Sequence, residues 1–396
     1  TTGASLGRGV TLRFEDFLLI VIGFSWFAKN AVNKEIGLFL KTPLNKPILF
    51  YILACLISTA FGVIDGTVAT KTGSLCVLKY IEYFIVYFMV VNHLKSIDQA
   101  KRLVFCLLLT CLITGIIGIL QIPGGERVSA PFEGEVGEPN TFGGYLLFLG
   151  AITAGLLLKA EKGRTKHLLI FLILAIVPSL LFTQSRASYL GLIVTCFFIG
   201  MFTRHRIFVK VFLTLSLLLS PFLLPQDVKE RIIFTFTQPE ESGQIHIGEI
   251  HLDTSTSARI TNLKQIMEDW PKKPIFGYGV TGYAFLDSQY PRVLIETGII
   301  GLIAFLYLLY SILKLAINRM KETKTPYFKG LAIGFFAGYI GLLFHALGAN
   351  TFIIVRIMEP FWFFAGIIAV LPALEPKQQK QPQEDRPRIR RFASAN

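Results

Sequence analysis

Residues 168–202 read LLIFLILAIVPSLLF, then TQSRASY, then LGLIVTCFFIGMF. Neither apolar run contains an acidic residue, and with the residues that flank them both are expected to cross a bilayer. Between them stand Thr183, Gln184, Ser185, Arg186, Ala187, Ser188 and Tyr189. An arginine placed there with no local acid marks a membrane boundary, or it reaches for an anion that the protein does not carry itself.

The same pattern extends along the chain. Of its 396 residues, 53% are hydrophobic and only 16% charged, with a mean hydropathy of +0.57; an ordinary soluble domain carries roughly a quarter charged residues. The apolar residues gather in long runs without the alternation of barrel strands. The fold class is therefore all-α, a polytopic integral membrane protein. The formal charge of +13 is spread over short clusters between runs and the tail KQQKQPQEDRPRIRR, as topology selection produces, and nucleic acid is not an expected partner. Cys55, Cys76, Cys106, Cys111 and Cys196 lie in or beside apolar runs, with no C-x-x-C spacing. They read as small apolar side chains, not as disulfides or metal ligands.

Spans are expected at 15–28, 46–63, 73–92, 102–121, 141–159, 167–183, 187–203, 207–225, 291–318, 328–347 and 352–373, eleven in this chain. The basic connectors KTPLNK, HLKSIDQAKR, KAEKGRTKH, TRHR and NRMKETKTPYFK, and the tail, are assigned to the cytoplasm. The opposite face then receives DGTVATKTG, residues 122–140, TQSRAS, residues 226–290 and HALGANTF. An odd number of spans with a cytoplasmic C-terminus leads to the expectation of a further helix upstream, twelve in all. The domain reading is 1–225 for N-terminal spans, 226–290 for a large external segment, 291–373 for C-terminal spans and 374–396 for a basic tail.

The external segment opens with QDVKERIIFTF, which has the pattern of an interfacial amphipathic piece. A polar coil follows, and then ARITNLKQIMEDW. That stretch places Ile260, Leu263, Ile266, Met267 and Trp270 on one helical face, with a Ser/Thr run as cap and Pro271 as stop. PIFGYGVTGY is a glycine-rich connector that would let backbone approach a site. Arg127, Arg186, Arg259, Arg292 and Arg356 all fall on this face, and arginine is the side chain suited to gripping phosphate. Arg259 is placed in a first helical turn, where free N–H groups favour an anion. Glu133, Glu135 and Glu138 suggest a hard-metal site only weakly, and the segment reads instead as a loop whose Asn140 and Thr141 open the next helix. His246 and His251 lack metal-ligand spacing.

A second informative stretch is DSQYPRVLIETGIIGLIAF. Asp287 precedes a span, with Tyr290 and Arg292 beside it and Glu296 one turn into the apolar run. A carboxylate so placed either acts as a general base on a hydroxyl or serves as counter-ion to Arg292. His345, at a span end in LLFHALGANTF, is either a buried, satisfied imidazole or a catalytic one.

RVSAPFEGEVGEPNTFGGYL, TQSRASYLGL, STSARITNLKQIMEDWPKKPIFGYG and DSQYPRVLIETGIIGL together resemble, in order and spacing, the O-antigen ligase and polymerase superfamily over about residues 70–370. That resemblance implies an inner-membrane glycosyltransferase of GT-C-like fold, independent of metals and cofactors, with its active site on the periplasmic side. It implies a glycan donor linked to undecaprenyl diphosphate, whose diphosphate arginines hold, here Arg186 and Arg259. Arg186 and Leu190 match the Arg-x3-Leu pattern of the ligases. Ser288, Gly298 and Gly301 match a second pattern, in which Asp287 stands where the family has its histidine. Asp287 is thus the expected base, and Arg292, Arg356, Tyr290 and His345 are supporting candidates. The implied partners are that donor, an acceptor hydroxyl on lipid A core or another glycan, and the bilayer. A repeat-unit polymerase, a protein O-glycan ligase and a polysaccharide transporter are the alternatives.

Overall fold

The computed structural model describes residues 40–131, 137–161, 163–203 and 253–375, together with Val21 and several positions between 229 and 251. Ten helices of sixteen residues or more are described: α1 (Asn45–Ile64), α2 (Thr70–His93), α3 (Ile97–Gln121), α4 (Pro139–Lys159), α5 (Arg164–Phe182), α6 (Arg186–Met201), α7 (Thr254–Asp269), α8 (Gln289–Glu322), α9 (Pro326–His345) and α10 (Val355–Leu374). Eight of these, all but α6 and α7, are long and apolar enough to cross a membrane, so the chain is a polytopic helical membrane protein. Nine of the eleven expected spans correspond to α1–α6 and α8–α10; those at 207–225 and, but for Val21, at 15–28 lie outside the described residues, as does most of QDVKERIIFTF. His246–Ile247 and Ile250–His251 pair as two-residue antiparallel strands.

Local chemistry fixes the helix starts. Ser96 caps α3 by accepting from the Gln99 N–H at 3.2 Å, with Asp98 in the first turn. Proline opens both α4 and α9, where its missing N–H costs nothing.

Helices α4 and α9 form the buried centre. Gly330, Gly334 and Gly338 recur every four residues along α9 and meet Ala151 and Gly155 of α4. A Cβ on Gly330 would lie 2.6 Å from the Gly155 carbonyl oxygen, and one on Gly334 would lie 2.6 Å from that of Ala151. Small residues at this spacing let two backbones approach, the usual packing solution where lipid offers no hydrophobic drive. An aromatic layer of Phe148, Phe335, Tyr339 and Phe361 fills the space beyond. Phe105, Leu109 and Leu120 of α3, Leu168, Phe171 and Leu174 of α5, and Leu49 and Phe50 of α1 stay exposed. An apolar perimeter of this size suits hydrocarbon and would be an aggregation surface in water.

The connectors segregate to two ends. At the basic end Thr325 N–H donates to Glu375 Oε1 at 3.0 Å, and Lys101 lies over the Tyr327 ring. At the other end residues 65–69, 122–131, 183–186, 253–288 and 346–354 meet. Lys273 pairs with Asp65 at 2.6 Å there, and Thr67 Oγ1 donates to the Tyr278 carbonyl at 2.7 Å.

The run expected to be one span at 291–318 is broken. Within α8, Gly298 adopts φ +65°, ψ −168°, a left-handed backbone that favours glycine. The break receives PIFGYGVTGY. Tyr278 N–H donates to the Ile295 carbonyl (3.0 Å), Gly279 N–H to that of Glu296 (2.8 Å), and Ile299 N–H to that of Pro274 (2.9 Å). The glycines therefore bring backbone to a helix break, not to an open site. Sequence reasoning had missed this because the apolar run continues through it.

Candidate functional site

The approach to Arg186 begins at the C-terminus of α5. Its last carbonyls would be left without partners, but Val128 N–H donates to Phe182 O at 3.0 Å. Arg127 donates through Nε to Thr183 O (3.1 Å) and through Nη2 to Gln184 O (3.4 Å). Arg127, expected among the anion-facing arginines, is thus engaged by the turn. Gln184 takes a left-handed φ of +50°, Ser185 caps α6 by accepting from Ser188 N–H, and Arg186 becomes the first residue of that helix.

The expectation that Arg186 finds no acid in the protein is overturned. Its Nη1 donates to Asp253 Oδ1 at 3.1 Å and Nη2 to Oδ2 at 2.8 Å, and Nη1 also reaches Thr256 Oγ1 at 3.3 Å. The partner lies 67 residues along the chain, beyond the reach of local inspection. Asp253 is also the N-cap of α7, accepting from Thr256 N–H at 3.2 Å. Burial would raise its carboxyl pKa, but hydrogen bonds from Arg186 and Thr256 outweigh that and hold it below the usual carboxylate range.

Helix α7 therefore starts at Thr254, with aspartate and not the Ser/Thr run as cap, and Arg259 sits in the second turn instead of the first. Ile266 of its apolar face is buried, while Leu263 and Met267 are exposed, so the expected face is only partly packed. From the second turn Arg259 Nη2 reaches the Gly348 carbonyl at 3.4 Å and Asp287 Oδ2 at 3.9 Å. Burial lowers the Arg259 pKa and the like charge of Arg186 lowers it further, against the support of Asp287. Because Arg186 is held by the N-cap of α7 and Arg259 stands in the second turn of the same helix, the start of α7 brings the two guanidinium groups to one end of the bundle. Asp287 is the open member, its side chain 51% exposed.

A hydrogen-bonded floor supports Asp287. Asn350 Nδ2 donates to Leu286 O, Ser288 Oγ to Leu347 O at 2.9 Å, Gln289 N–H to Ala346 O at 3.1 Å, and Phe352 N–H to Gln289 Oε1 at 3.1 Å. Tyr290 extends the floor, donating to Leu343 O at 2.8 Å. His345 is fully buried, with Nδ1 2.7 Å from Thr351 Oγ1 and Gly144 of α4 against the Nε2 edge of its ring. The ring is thus buried as the first alternative requires, but its Nε2 has no hydrogen-bond partner among the described residues. Arg356 is the second residue of α10, at the same end of the bundle. Asp253, Gln289 and Asn350 were not singled out in the sequence.

Arg292 is not the partner of Asp287. Its Nε pairs with Glu296 Oε1 at 3.0 Å, and its guanidinium lies over the Phe285 ring. Glu296 Oε1 also accepts from Thr281 N–H at 3.2 Å, which ties the pair to the glycine-rich loop. Gly298 of the second motif makes the helix break, so that part of the motif has a structural cause here. Glu138 accepts from Thr141 Oγ1 at the start of α4, as a helix-opening loop would have it; Glu133 and Glu135 lie outside the described residues.

No curated protein sequence matches this chain. A family model described as O-antigen ligase matches residues 169–306, the stretch that carries Arg186, Asp253, Arg259, Asp287 and Gly298, and over that stretch the chain is similar to the O-antigen ligase family.

Proposed function

We propose that the chain transfers a glycan from a prenyl-diphosphate carrier, undecaprenyl diphosphate, to an acceptor hydroxyl. Its charged end would face the periplasm from the inner membrane. Similarity to that family supports a ligase- or polymerase-type membrane glycosyltransferase, and lipid A core is the acceptor we favour. The observation that carries the reading is the meeting of Arg186, Arg259 and a half-exposed Asp287 at one end of the bundle.

In this scheme Arg186 and Arg259 hold the diphosphate and stabilise the charge that develops on it as the glycosidic bond breaks. Asp287 accepts the proton of the attacking hydroxyl, in the position where the family carries histidine. At 3.9 Å its contact with Arg259 is long for a hydrogen bond, so the carboxylate can turn to a hydroxyl. His345 is less suited to the role because its ring is sealed from the surface. The prenyl chain lies along the apolar perimeter, within the bilayer.

The test is reconstitution in liposomes with an undecaprenyl-diphosphate oligosaccharide, with and without lipid A core. A lipid A band that shifts only when core is present is the expected product, and a ladder on the carrier would mean a polymerase. Labelled donor crossing the membrane unaltered in mass would mean a transporter. Arg186→Ala is expected to abolish transfer in a protein that still folds; full activity in that variant would sink the reading.

A further inference from the structure

Arg127 faces the C-terminus of α5, the negative end of a helix dipole, where a cation is favoured. It donates to two successive carbonyls, Thr183 and Gln184, while Val128 N–H takes the carbonyl before them. Three consecutive carbonyls of the α5–α6 turn are thus held by two consecutive residues of the segment after α3. A lysine could not do the same, because its ammonium is a point donor without a planar fork.

The turn needs holding. Gln184 is one of two non-glycine residues with positive φ among the described residues, and a left-handed residue with a Cβ is strained. The turn is also closely packed, since a Cβ on Gly143 of α4 would lie 2.9 Å from Ser188 Cβ and 3.3 Å from Thr183 Oγ1. Two residues after Gln184 comes Arg186. A slip of one residue would rotate the start of α6 by about 100° and swing Arg186 away from Asp253.

We infer that Arg127 is a positioning residue: by clamping the left-handed turn at 183–185 it fixes the direction of Arg186. The inference rests on the reading that Arg186 holds the donor diphosphate. It departs from the expectation that Arg127 itself faces an anion, and the two differ in what glycine should do. Glycine at 184 holds the left-handed turn without strain, so it should make the clamp dispensable; it could not replace a guanidinium that touches the ligand.

The experiment measures binding of undecaprenyl diphosphate to the full chain in nanodiscs, with the melting temperature of each variant followed alongside. Arg186→Ala should lose most binding and Gln184→Gly alone should bind like the parent. Arg127→Ala should bind about tenfold more weakly, the equivalent of roughly 1.4 kcal/mol, and Arg127→Lys should recover little. The double variant Arg127→Ala/Gln184→Gly should return to within about threefold of the parent, since it relieves the strain of the left-handed turn. Weak binding by Arg127→Ala that Gln184→Gly does not rescue, or undiminished binding by Arg127→Ala, would overturn the inference. If Arg127→Ala does not fold, the same rescue is read in Arg127→Lys. Undiminished binding by Arg186→Ala would instead overturn the underlying functional reading, so the two failures are told apart.

Discussion

Two arginine–carboxylate pairs stand close together in the chain and differ in almost every physical respect. Arg292 and Glu296 lie 3.0 Å apart, one helical turn from each other, with side chains 12% and 6% exposed. The carboxylate also receives a backbone N–H from the glycine-rich loop. Arg259 and Asp287 come from different elements, are 3.9 Å apart, and are 28% and 51% exposed. The first pair has its groups enclosed and mutually satisfied, so it serves the fold. The second leaves its carboxylate open beside a cation that is already partly desolvated, the state of a group that can still take a partner. Burial separates the two acids.

The largest expected effect breaks the closed pair. Glu296→Ala leaves a nearly buried guanidinium and the Thr281 N–H without their acceptor, and removing one member of a buried pair costs about 3–5 kcal/mol. Thermal unfolding in detergent should show that loss, with activity falling only in step with the folded fraction. Unchanged stability would mean that the closed pair does not hold the α8 break.

The smallest effect concerns Arg186 and Asp253, which lie 2.8 Å apart with side chains 25% and 2% exposed. Asp253→Asn keeps a good N-cap and an oxygen for Arg186 but removes the charge, so a modest loss of stability is expected at neutral pH. The folded-state pKa of Asp253 is depressed. Its stabilisation is therefore full above the ordinary aspartate value of about 3.9 and is lost as pH falls through the lower folded value. Melting temperatures of parent and variant should differ at pH 7 and converge towards pH 3. A gap independent of pH would show that the pair acts through shape and not through charge.

Much of the scaffold was legible because it depends on local composition. Nine apolar runs became helices, and the connectors sorted to two ends, since helix formation and lipid exposure are both read from runs of side chains. The break at Gly298 was not legible, because it is made by hydrogen bonds from residues 274–279 to a run whose hydropathy does not change there. The close approach of α4 and α9 was written in the four-residue spacing of Gly330, Gly334 and Gly338, but a search for runs looks past small residues. Within the site, the arginines and Asp287 could be found from their chemical type and position. Their partners could not: Arg186 meets Asp253 and Arg259 meets the 348 carbonyl across 67 and 89 residues, distances that only the fold closes.

The most direct test of the account is the pair of measurements, transfer and melting, on Asp287→Asn in the reconstituted system. An open carboxylate that acts as general base predicts an unchanged melting temperature and a loss of transfer of about a hundredfold or more, with Asp287→His, which restores a side chain able to take the proton, regaining part of it. Full transfer by Asp287→Asn would contradict the account, and the open pair would then be no more than a second, looser support for the fold.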